Sequence, residues 1–354
     1  MSLNFPFTEA PEPGTCTLIA PGILWARMPL PIALDHINLY LLEDGEGWAI
    51  IDTGMKGQST QQHWLQVFDK ELSGKPVTKI IATHMHPDHV GQAGWLSEHW
   101  QAPFYMTFGE YFAARTFSSP VPQHDSWAMK KHLIGTGMPP EYYEKIRKGS
   151  MDFSSLVEPL PRSYQRLREG QFLKIGKHQW RIMIGEGHSP EHACLYCAEL
   201  NILISGDQII PDISSNVSVT SIEPDGNPLQ SWLESLDRFR ELPADTLVLP
   251  AHKLPFYGIQ ERINSLIQHH EKHMQLLLEA CSTPRSAVEL LPVLFRKNLD
   301  NSQMMMALGE CLAHLRLMLE RNWLSRTTDE DGVYHYQAVI RDEEGPDYYA
   351  ALHE

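Results

Sequence analysis

The stretch THMHPDHVG, residues 83–91, constrains the fold of this chain more than any other feature. Four side chains of the types that bind metal ions in proteins, His84, His86, Asp88 and His89, lie within six positions. The short apolar run VTKII precedes them, as in a buried strand, and GQAGWLSEHW follows with helical spacing. This turn is therefore predicted at the C-terminal end of a strand, where α/β sheets place their binding sites.

Imidazole and carboxylate groups are ligands of zinc, iron and manganese ions. Four such groups in one tight turn cannot all bind a single tetrahedral ion without strain, so the pattern favours two adjacent ions that share the turn. The missing donors are expected at other strand ends of the same sheet edge: His188 in GEGHSPEH, Asp207 in LISGDQ and His252 in VLPAH.

Seven side chains are thus predicted to bind two divalent ions, with zinc favoured over iron or manganese. They are divided between the ions as follows: His84, His86 and His188 on one, Asp88, His89 and His252 on the other, and Asp207 between the two. Asp52, at the end of the strand in IDTG, is predicted to lie outside the ligands and to steady the ligand turn by hydrogen bonds.

The rest of the chain predicts an α/β catalytic domain over residues 1–281. Two strands around the turn EDGEG form a hairpin, and a helix in STQQHWLQVFDKEL leads to the strand before the ligand turn. Residues 105–168 are rich in proline and aromatic residues and are predicted to form a lid of helices and loops without sheet. Strands resume after this segment, and the long amphipathic helix GIQERINSLIQHHEKHMQLLLEAC follows them.

Residues 282–354 are predicted to form a separate C-terminal domain. Two helices and a two-stranded wing around DEDG give it a winged-helix-like outline. This segment has seven Lys and Arg against twelve Asp and Glu, a net charge of −5, which disfavours DNA binding. It is expected instead to pack on the core, to cover the active-site edge or to make a homodimer contact.

Composition restricts the partners and the compartment. A formal net charge of −15 argues against nucleic acid as the main partner. Five scattered cysteines do not resemble a disulfide framework. No signal peptide or membrane-spanning run is recognised, so a cytoplasmic protein without membrane contact is expected.

The segments IDTG, THMHPDHVG, GHSPEH, SGDQ and LPAH resemble the five motifs of the metallo-β-lactamase superfamily over roughly residues 20–275. The resemblance implies an αββα sandwich with a binuclear metal site at one edge. The pattern is closer to the glyoxalase II type, because Asp88 follows the H-x-H. The tail is similar to the winged-helix-like extension of the superfamily's β-lactamase-like protein 2 group.

This resemblance implies a binuclear hydrolase of a thioester or ester, similar to hydroxyacylglutathione hydrolases, with a small acyl compound as substrate. A metal-bridging hydroxide near Asp207 would attack the carbonyl carbon, and Asp88 would pass a proton to the leaving group. Three alternatives stay open: a lactonase, a metal-dependent endoribonuclease, and a metal-binding regulatory protein without turnover.

Two predictions concern less distinctive residues. His192, Lys253 and Tyr257 are candidate substrate contacts because they closely follow predicted ligands. His269, His270 and His273 cluster on the long helix. Since the sequence shows no acidic partners arranged around them, they are predicted to form a solvated or packed helix face.

Overall fold

A computed structural model describes residues 3–32, 34–119, 126–142, 145, 152–295 and 299–339 of the 354-residue chain. The chain divides into two compact units. Unit 1 comprises Met1–His124, Met151–Val217 and Gln230–Ile267, and unit 2 comprises Asp125–Ser150, Ser218–Leu229 and Gln268–Glu354.

Two sheets form the centre of unit 1. The first sheet contains, in spatial order, β1 (Cys16–Ala20), β2 (Ile23–Pro29), β3 (His36–Asp44), β4 (Gly47–Ile51), β5 (Val77–Ile81), β6 (Phe104–Met106) and β7 (Gln165–Arg166). The second contains β8 (Phe172–Ile175), β9 (His178–Gly185), β10 (His192–Cys197), β11 (Ile202–Gly206) and β12 (Leu247–Pro250), with β8 and β12 at its edges.

Strand direction divides the first sheet into two halves. Strands β1 to β4 pair antiparallel, and the predicted hairpin joins β3 to β4. Strands β4 to β7 pair parallel. Every residue of β4 is buried, as expected for a central strand covered on both faces. In the second sheet only β11 and β12 pair parallel.

The described helices occupy both units. They are α1 (Gln58–Glu71), α2 (Pro87–Val90), α3 (Ala93–Trp100), α4 (Phe108–Phe117), α5 (Trp127–Gly135), α6 (Phe153–Leu156), α7 (Pro228–Phe239), α8 (Ile259–Ala280), α9 (Ala287–Leu294) and α10 (Asn301–Glu320). Among the described residues, no helix combines the length and the apolar character needed to cross a bilayer.

The sheets face each other across one hydrophobic cluster. Trp25 and Tyr40 of the first sheet and Trp180 and Leu249 of the second belong to it, and all are almost fully buried. The other face of the first sheet packs against α1, α3 and α4, where Trp64 is completely buried. The predicted αββα sandwich is therefore confirmed.

The predicted lid segment needs one correction. Residues 105–168 were expected to contain no sheet, but β6 and β7 at its two ends pair with each other in the first sheet. The segment is also divided between the units, since Asp125–Ser150 belongs to unit 2. Its role as a lid stays a prediction.

Unit 2 contains α9, α10 and the hairpin of β13 (Leu324–Thr328) and β14 (Tyr334–Ala338), in the predicted order. A capping box opens each helix: Ser286 with Glu289, and Asp300 with Gln303. The unit includes the end of α8 from Gln268 onward, whereas the sequence placed the boundary after residue 281. The winged-helix assignment stays a prediction.

Candidate metal centre

The ligand turn lies where β5 ends. His86 caps α2, and Pro87 occupies the first helical position, where its missing N–H leaves no hydrogen bond unmade. Asp88 and His89 therefore follow in the first turn of a helix, while His84 stays in the loop. A short helix of this kind presents neighbouring side chains in different directions, so one turn can serve two metal positions.

The first ligand group consists of His84, His86, His188 and Asp207, whose candidate ligand atoms lie within 4.8 Å of one another. The Nε2 atom of His84 lies 2.7 Å from Nδ1 of His86 and 3.3 Å from Nε2 of His188. Burial lowers the pKa of His86 to about 3, so this ring is neutral and its lone pair is available to a metal ion.

The second ligand group consists of Asp88, His89 and His252, again with ligand atoms within 4.8 Å of one another. Oδ2 of Asp88 lies 3.5 Å from Nε2 of His89 and 3.4 Å from Nε2 of His252. Ligands bound 2.0–2.2 Å from a tetrahedral zinc ion lie roughly 3.3–3.5 Å apart. These separations therefore suit atoms that surround one ion.

Asp207 directs one carboxylate oxygen to each group. Its Oδ2 lies 3.5 Å from Nε2 of His188. Its Oδ1 lies 3.5 Å from Nε2 of His89 and 3.3 Å from Nε2 of His252. A carboxylate placed in this way could bind both ions, and all seven predicted ligands lie around it.

Two buried atoms support the fit of metal ions to this site. Nε2 of His89 and Oδ1 of Asp207 are inaccessible to solvent and have no hydrogen-bond partner within the described part of the chain. A buried polar atom without a partner is costly, and a coordinated cation would satisfy both atoms. The two groups could thus hold two divalent ions.

The opposite ring nitrogens of two ligand histidines are held by hydrogen bonds to the backbone. Nδ1 of His188 lies 2.7 Å from the carbonyl oxygen of Asn216, and Nδ1 of His252 lies 2.7 Å from that of His36. A carbonyl only accepts, so in each ring Nδ1 carries the proton and Nε2 presents its lone pair to the centre. Such contacts fix the tautomer and the ring orientation of metal-binding histidines.

Asp52 lies beside the ligands, as predicted, and its backbone explains why. It leaves β4 with φ +61°, a left-handed conformation that Asp tolerates better than most residues. Its carboxylate accepts hydrogen bonds from the N–H of Thr83 at 2.7 Å and from Nδ1 of His89 at 2.9 Å. It thereby fixes the start of the ligand turn and the tautomer of His89.

The carboxylates around His89 and His252 attract positive charge to the second ligand group. Burial alone would lower the pKa of His89, but Asp88, Asp52 and Asp207 raise it well above its usual value. Burial likewise opposes protonation of His252, yet Asp207 and Asp88 raise its pKa to about 9. Protons and metal ions therefore compete for the same position.

Glu110 was missed by the sequence analysis. This side chain of α4 is completely buried, and its two oxygens accept hydrogen bonds from two ligand loops. Oε2 accepts from the N–H of Met85 at 2.8 Å, and Oε1 accepts from the N–H of Glu191 at 2.7 Å. No local pattern signals this role, because α4 shows only an ordinary helical sequence.

His192 is placed differently from the prediction of a substrate contact. Its ring is fully buried and stacks on His84, with centroids 4.7 Å apart. Its Nε2 accepts a hydrogen bond from the N–H of Asp207 at 3.0 Å. A Cβ at Gly206, which has φ +51°, would approach the His192 ring to 2.4 Å, so only glycine permits this contact. His192 therefore supports the bridging carboxylate from behind.

Lys253 contributes through its backbone. The residue has φ +72°, and its N–H donates to Nε2 of His36 at 2.8 Å. Its carbonyl accepts from Arg27 at 2.6 Å and from Asn38 at 2.9 Å. These bonds hold the loop that carries His252, while a substrate contact by the Lys253 side chain stays a prediction.

Tyr257 is held in place by its backbone and by the packing of its ring. Its backbone exchanges hydrogen bonds with Asn4, at 2.8 and 3.2 Å, and its half-buried ring packs against the hydrophobic cluster between the sheets. The ring thus contributes to the sandwich core, while a substrate contact by Tyr257 stays a prediction.

Comparison with known proteins identifies the family. Residues 32–252 match the family described as the metallo-beta-lactamase superfamily. The chain belongs to the metallo-β-lactamase superfamily. Residues 274–339 match a second family, the metallo-beta-lactamase-like C-terminal domain. A C-terminal domain therefore accompanies the catalytic fold, and membership implies hydrolase chemistry.

Two solved structures resemble nearly the whole chain. A beta-lactamase domain protein from Burkholderia ambifaria is 42% identical, with a TM-score of 0.89, over 95% of this chain and 98% of that one. A metallo-beta-lactamase family protein from Thermus thermophilus is 28% identical, with a TM-score of 0.76, over 91% and 100% of the two chains.

A curated relative also spans most of the chain. The probable metallo-hydrolase YqjP of Bacillus subtilis is 22% identical over 323 residues, which cover 88% of this chain and 97% of the relative. An uncharacterised protein of Aquifex aeolicus is 30% identical over 227 residues, or 63% of this chain and 87% of its own length.

Proposed function

We propose that this protein hydrolyses a small ester or thioester with the help of two divalent ions, most suitably zinc. One ion would be held by His84, His86 and His188. The other ion would be held by Asp88, His89 and His252, and Asp207 would bind both ions. The observation that carries the proposal is the orientation of Asp207, whose two oxygens face the two ligand groups separately.

A binuclear centre of this type lowers the pKa of a shared water toward neutrality and polarises a carbonyl oxygen. The residues around it prepare this chemistry. Asp207, fixed from behind by His192, keeps the two ligand groups at a constant separation. Asp52 and Glu110 hold the ligand loops, so the centre needs little reorganisation during the reaction.

Asp88 is the residue best placed to move a proton. Its Oδ2 lies among the ring nitrogens of the second group, at 3.4 Å from His252. In the proposed reaction the water oxygen bonds to the carbonyl carbon, the bond from that carbon to oxygen or sulfur breaks, and the water's proton passes through Asp88 to the leaving group. No serine or cysteine nucleophile is needed.

The ester or thioester preference rests on the ligand set. The H-x-H-x-D-H turn resembles the glyoxalase II type, in which the substrate is a thioester. A lactonase would use the same residues on a cyclic ester, so the two assignments differ in the substrate and share the site. The acidic charge of −15 favours neither RNA nor DNA as the substrate.

The test is a substrate panel on zinc-loaded protein. It would contain S-acyl thioesters, aryl esters, lactones and single-stranded RNA, each assayed with and without a chelator. We expect turnover of a thioester or ester that chelation abolishes. In Asp207→Asn we expect kcat/KM to fall at least a hundred-fold, on the order of the several kcal/mol that a metal site contributes. Asp69→Asn, an exposed change on α1, is the matched control.

Other outcomes would contradict the proposal in distinct ways. Full activity of Asp207→Asn, or after chelation, would exclude the binuclear mechanism. Metal-dependent RNA cleavage without ester turnover would assign a nuclease. Two bound ions with no turnover of any substrate would point to a regulatory protein. Metal analysis of protein purified without added zinc would separate zinc from iron and manganese.

A further inference from the structure

The structure corrects the interpretation of the histidines on α8. They were predicted to form a helix face without acidic partners, but Glu310 of α10 lies beside them. Candidate ligand atoms of His269, His273 and Glu310 lie within 4.8 Å of one another. All three residues belong to unit 2, so this cluster is separate from the centre described above.

Helical spacing explains the arrangement on α8. His269 and His273 are four residues apart, so their side chains lie on the same face, one turn from each other. Their ring centroids are 4.2 Å apart and the rings are tilted by 55°. Two imidazoles at this spacing on one helix can bind one metal ion together, as in the H-x-x-x-H helices of zinc enzymes.

The contact with α10 is slightly longer than the separation of two ligands on one ion. Nδ1 of His273 lies 3.8 Å from Oε1 of Glu310, too long for a hydrogen bond but close to the roughly 3.3–3.5 Å between neighbouring ligands of tetrahedral zinc. The same Nδ1 is buried and has no hydrogen-bond partner in the described chain. A bound cation would satisfy this atom.

A second pair of histidines supports the cluster. His314 lies one turn after Glu310, and its Nδ1 is 2.7 Å from the carbonyl oxygen of Glu310, so Nδ1–H donates. Its Nε2 then accepts from Nδ1 of His270 at 3.0 Å. This chain of hydrogen bonds ties α8 to α10 directly next to the three candidate ligands, which limits their movement.

The charges of the three side chains suit a divalent ion. Glu310 would supply one negative charge to the ion, which is the charge balance of two-histidine, one-glutamate zinc sites.

We propose that unit 2 contains a third metal site, in which His269, His273 and Glu310 bind a divalent transition-metal ion. Three protein ligands leave a fourth tetrahedral position for water or a small anion. The ion would link α8 to α10 and stabilise the folded form of unit 2, because metal binding to a folded site adds to folding stability.

The experiment counts zinc ions on the full-length protein. Protein stripped with a chelator would be dialysed against buffered Zn²⁺, and bound zinc would be measured by mass spectrometry. We expect three ions per wild-type chain and one fewer in the double variant His273→Gln, Glu310→Gln. His335→Gln, which removes a histidine of β14 that pairs with Asp329, is the matched control and should keep the wild-type number.

A second measurement tests whether the double variant is folded. Circular dichroism should show the same helical content in the double variant as in wild type. The visible absorption of Co²⁺ bound to the protein gives an independent count, and it should fall by the contribution of one tetrahedral ion when His273→Gln and Glu310→Gln are introduced. Equal zinc content in wild type and a folded double variant, or Co²⁺ absorption that the two changes leave unaltered, would overturn the proposal.

Discussion

Glu110 accepts a hydrogen bond from the backbone N–H of Met85 at 2.8 Å, and so holds the peptide between His84 and His86. Its other oxygen accepts from the loop that follows His188. A single buried carboxylate therefore joins two loops that are about a hundred positions apart in the sequence. The position of three histidines depends on it, although Glu110 belongs to neither ligand group.

Replacing Glu110 with Gln should weaken metal binding without removing a ligand. Glutamine has the same size as glutamate, but its NH₂ group is a donor and would face the backbone N–H of either Met85 or Glu191. One of the two hydrogen bonds is therefore lost. We expect the zinc affinity of the first ligand group to fall by about 10–100-fold, as for other residues that orient metal ligands. Competition with a chromophoric chelator measures this, and exposed Glu98→Gln is the control. Unchanged affinity would show that the ligand loops are rigid without Glu110.

Asp52→Asn should act on the second ligand group. The amide can present only one oxygen, so either Thr83 or His89 loses its acceptor. His89 would then be free to change its tautomer, and we expect a fall of about 10–100-fold in the affinity for one ion. Stepwise zinc titration distinguishes the loss of one ion from the loss of both, and a wild-type titration curve would contradict the role assigned to Asp52.

A comparison of Gly206→Ala with Gly45→Ala should separate the loss of stability caused by steric overlap from the loss caused by backbone strain. A Cβ at Gly206 would meet His192 at 2.4 Å, whereas one at Gly45, with a similar positive φ of +64°, would meet nothing within 4 Å. Gly206→Ala and Gly45→Ala would each place a side chain on a left-handed backbone conformation, which costs on the order of 1 kcal/mol. We expect Gly206→Ala to lose roughly 1–3 kcal/mol more, in line with overpacked cores. Urea unfolding of both variants tests this, and equal losses would show that His192 can move away.

Acid should destabilise the protein through His314. Burial lowers the pKa of this histidine to about 3 in the folded state, while the unfolded value is about 6.5. Because the folded pKa is the lower one, the stabilising contribution is complete above pH 6.5 and is lost as the pH falls toward 3. In His314→Leu, assayed without metal, we expect the free energy of unfolding to fall less steeply between pH 6 and 4, by up to about 1.4 kcal/mol per pH unit. An unchanged slope would assign the acid sensitivity to other groups.

The metal centre could be predicted because its signal is local. The seven candidate ligands lie in the loops and the short helix that follow the ends of β5, β9, β11 and β12, and α/β folds place their sites at such strand ends. The division of the ligands also agrees with the two groups in the structure, since His84 and His86 precede the helix start at Pro87 and Asp88 and His89 follow it.

On its own, the sequence determined the main strands and helices, the ligand turn and the set of donors, because periodicity and short-range spacing control strands, helices and their ends; the sandwich was implied by the resemblance of its motifs to the superfamily. Tertiary structure alone decided that Glu110 joins two loops, that His192 supports Asp207 from behind, and that Glu310 meets the histidines of α8. Each of these contacts joins residues that are distant in the sequence and depends on how whole elements pack. Local sequence does not predict such packing, because these contacts become favourable only when the whole core has assembled.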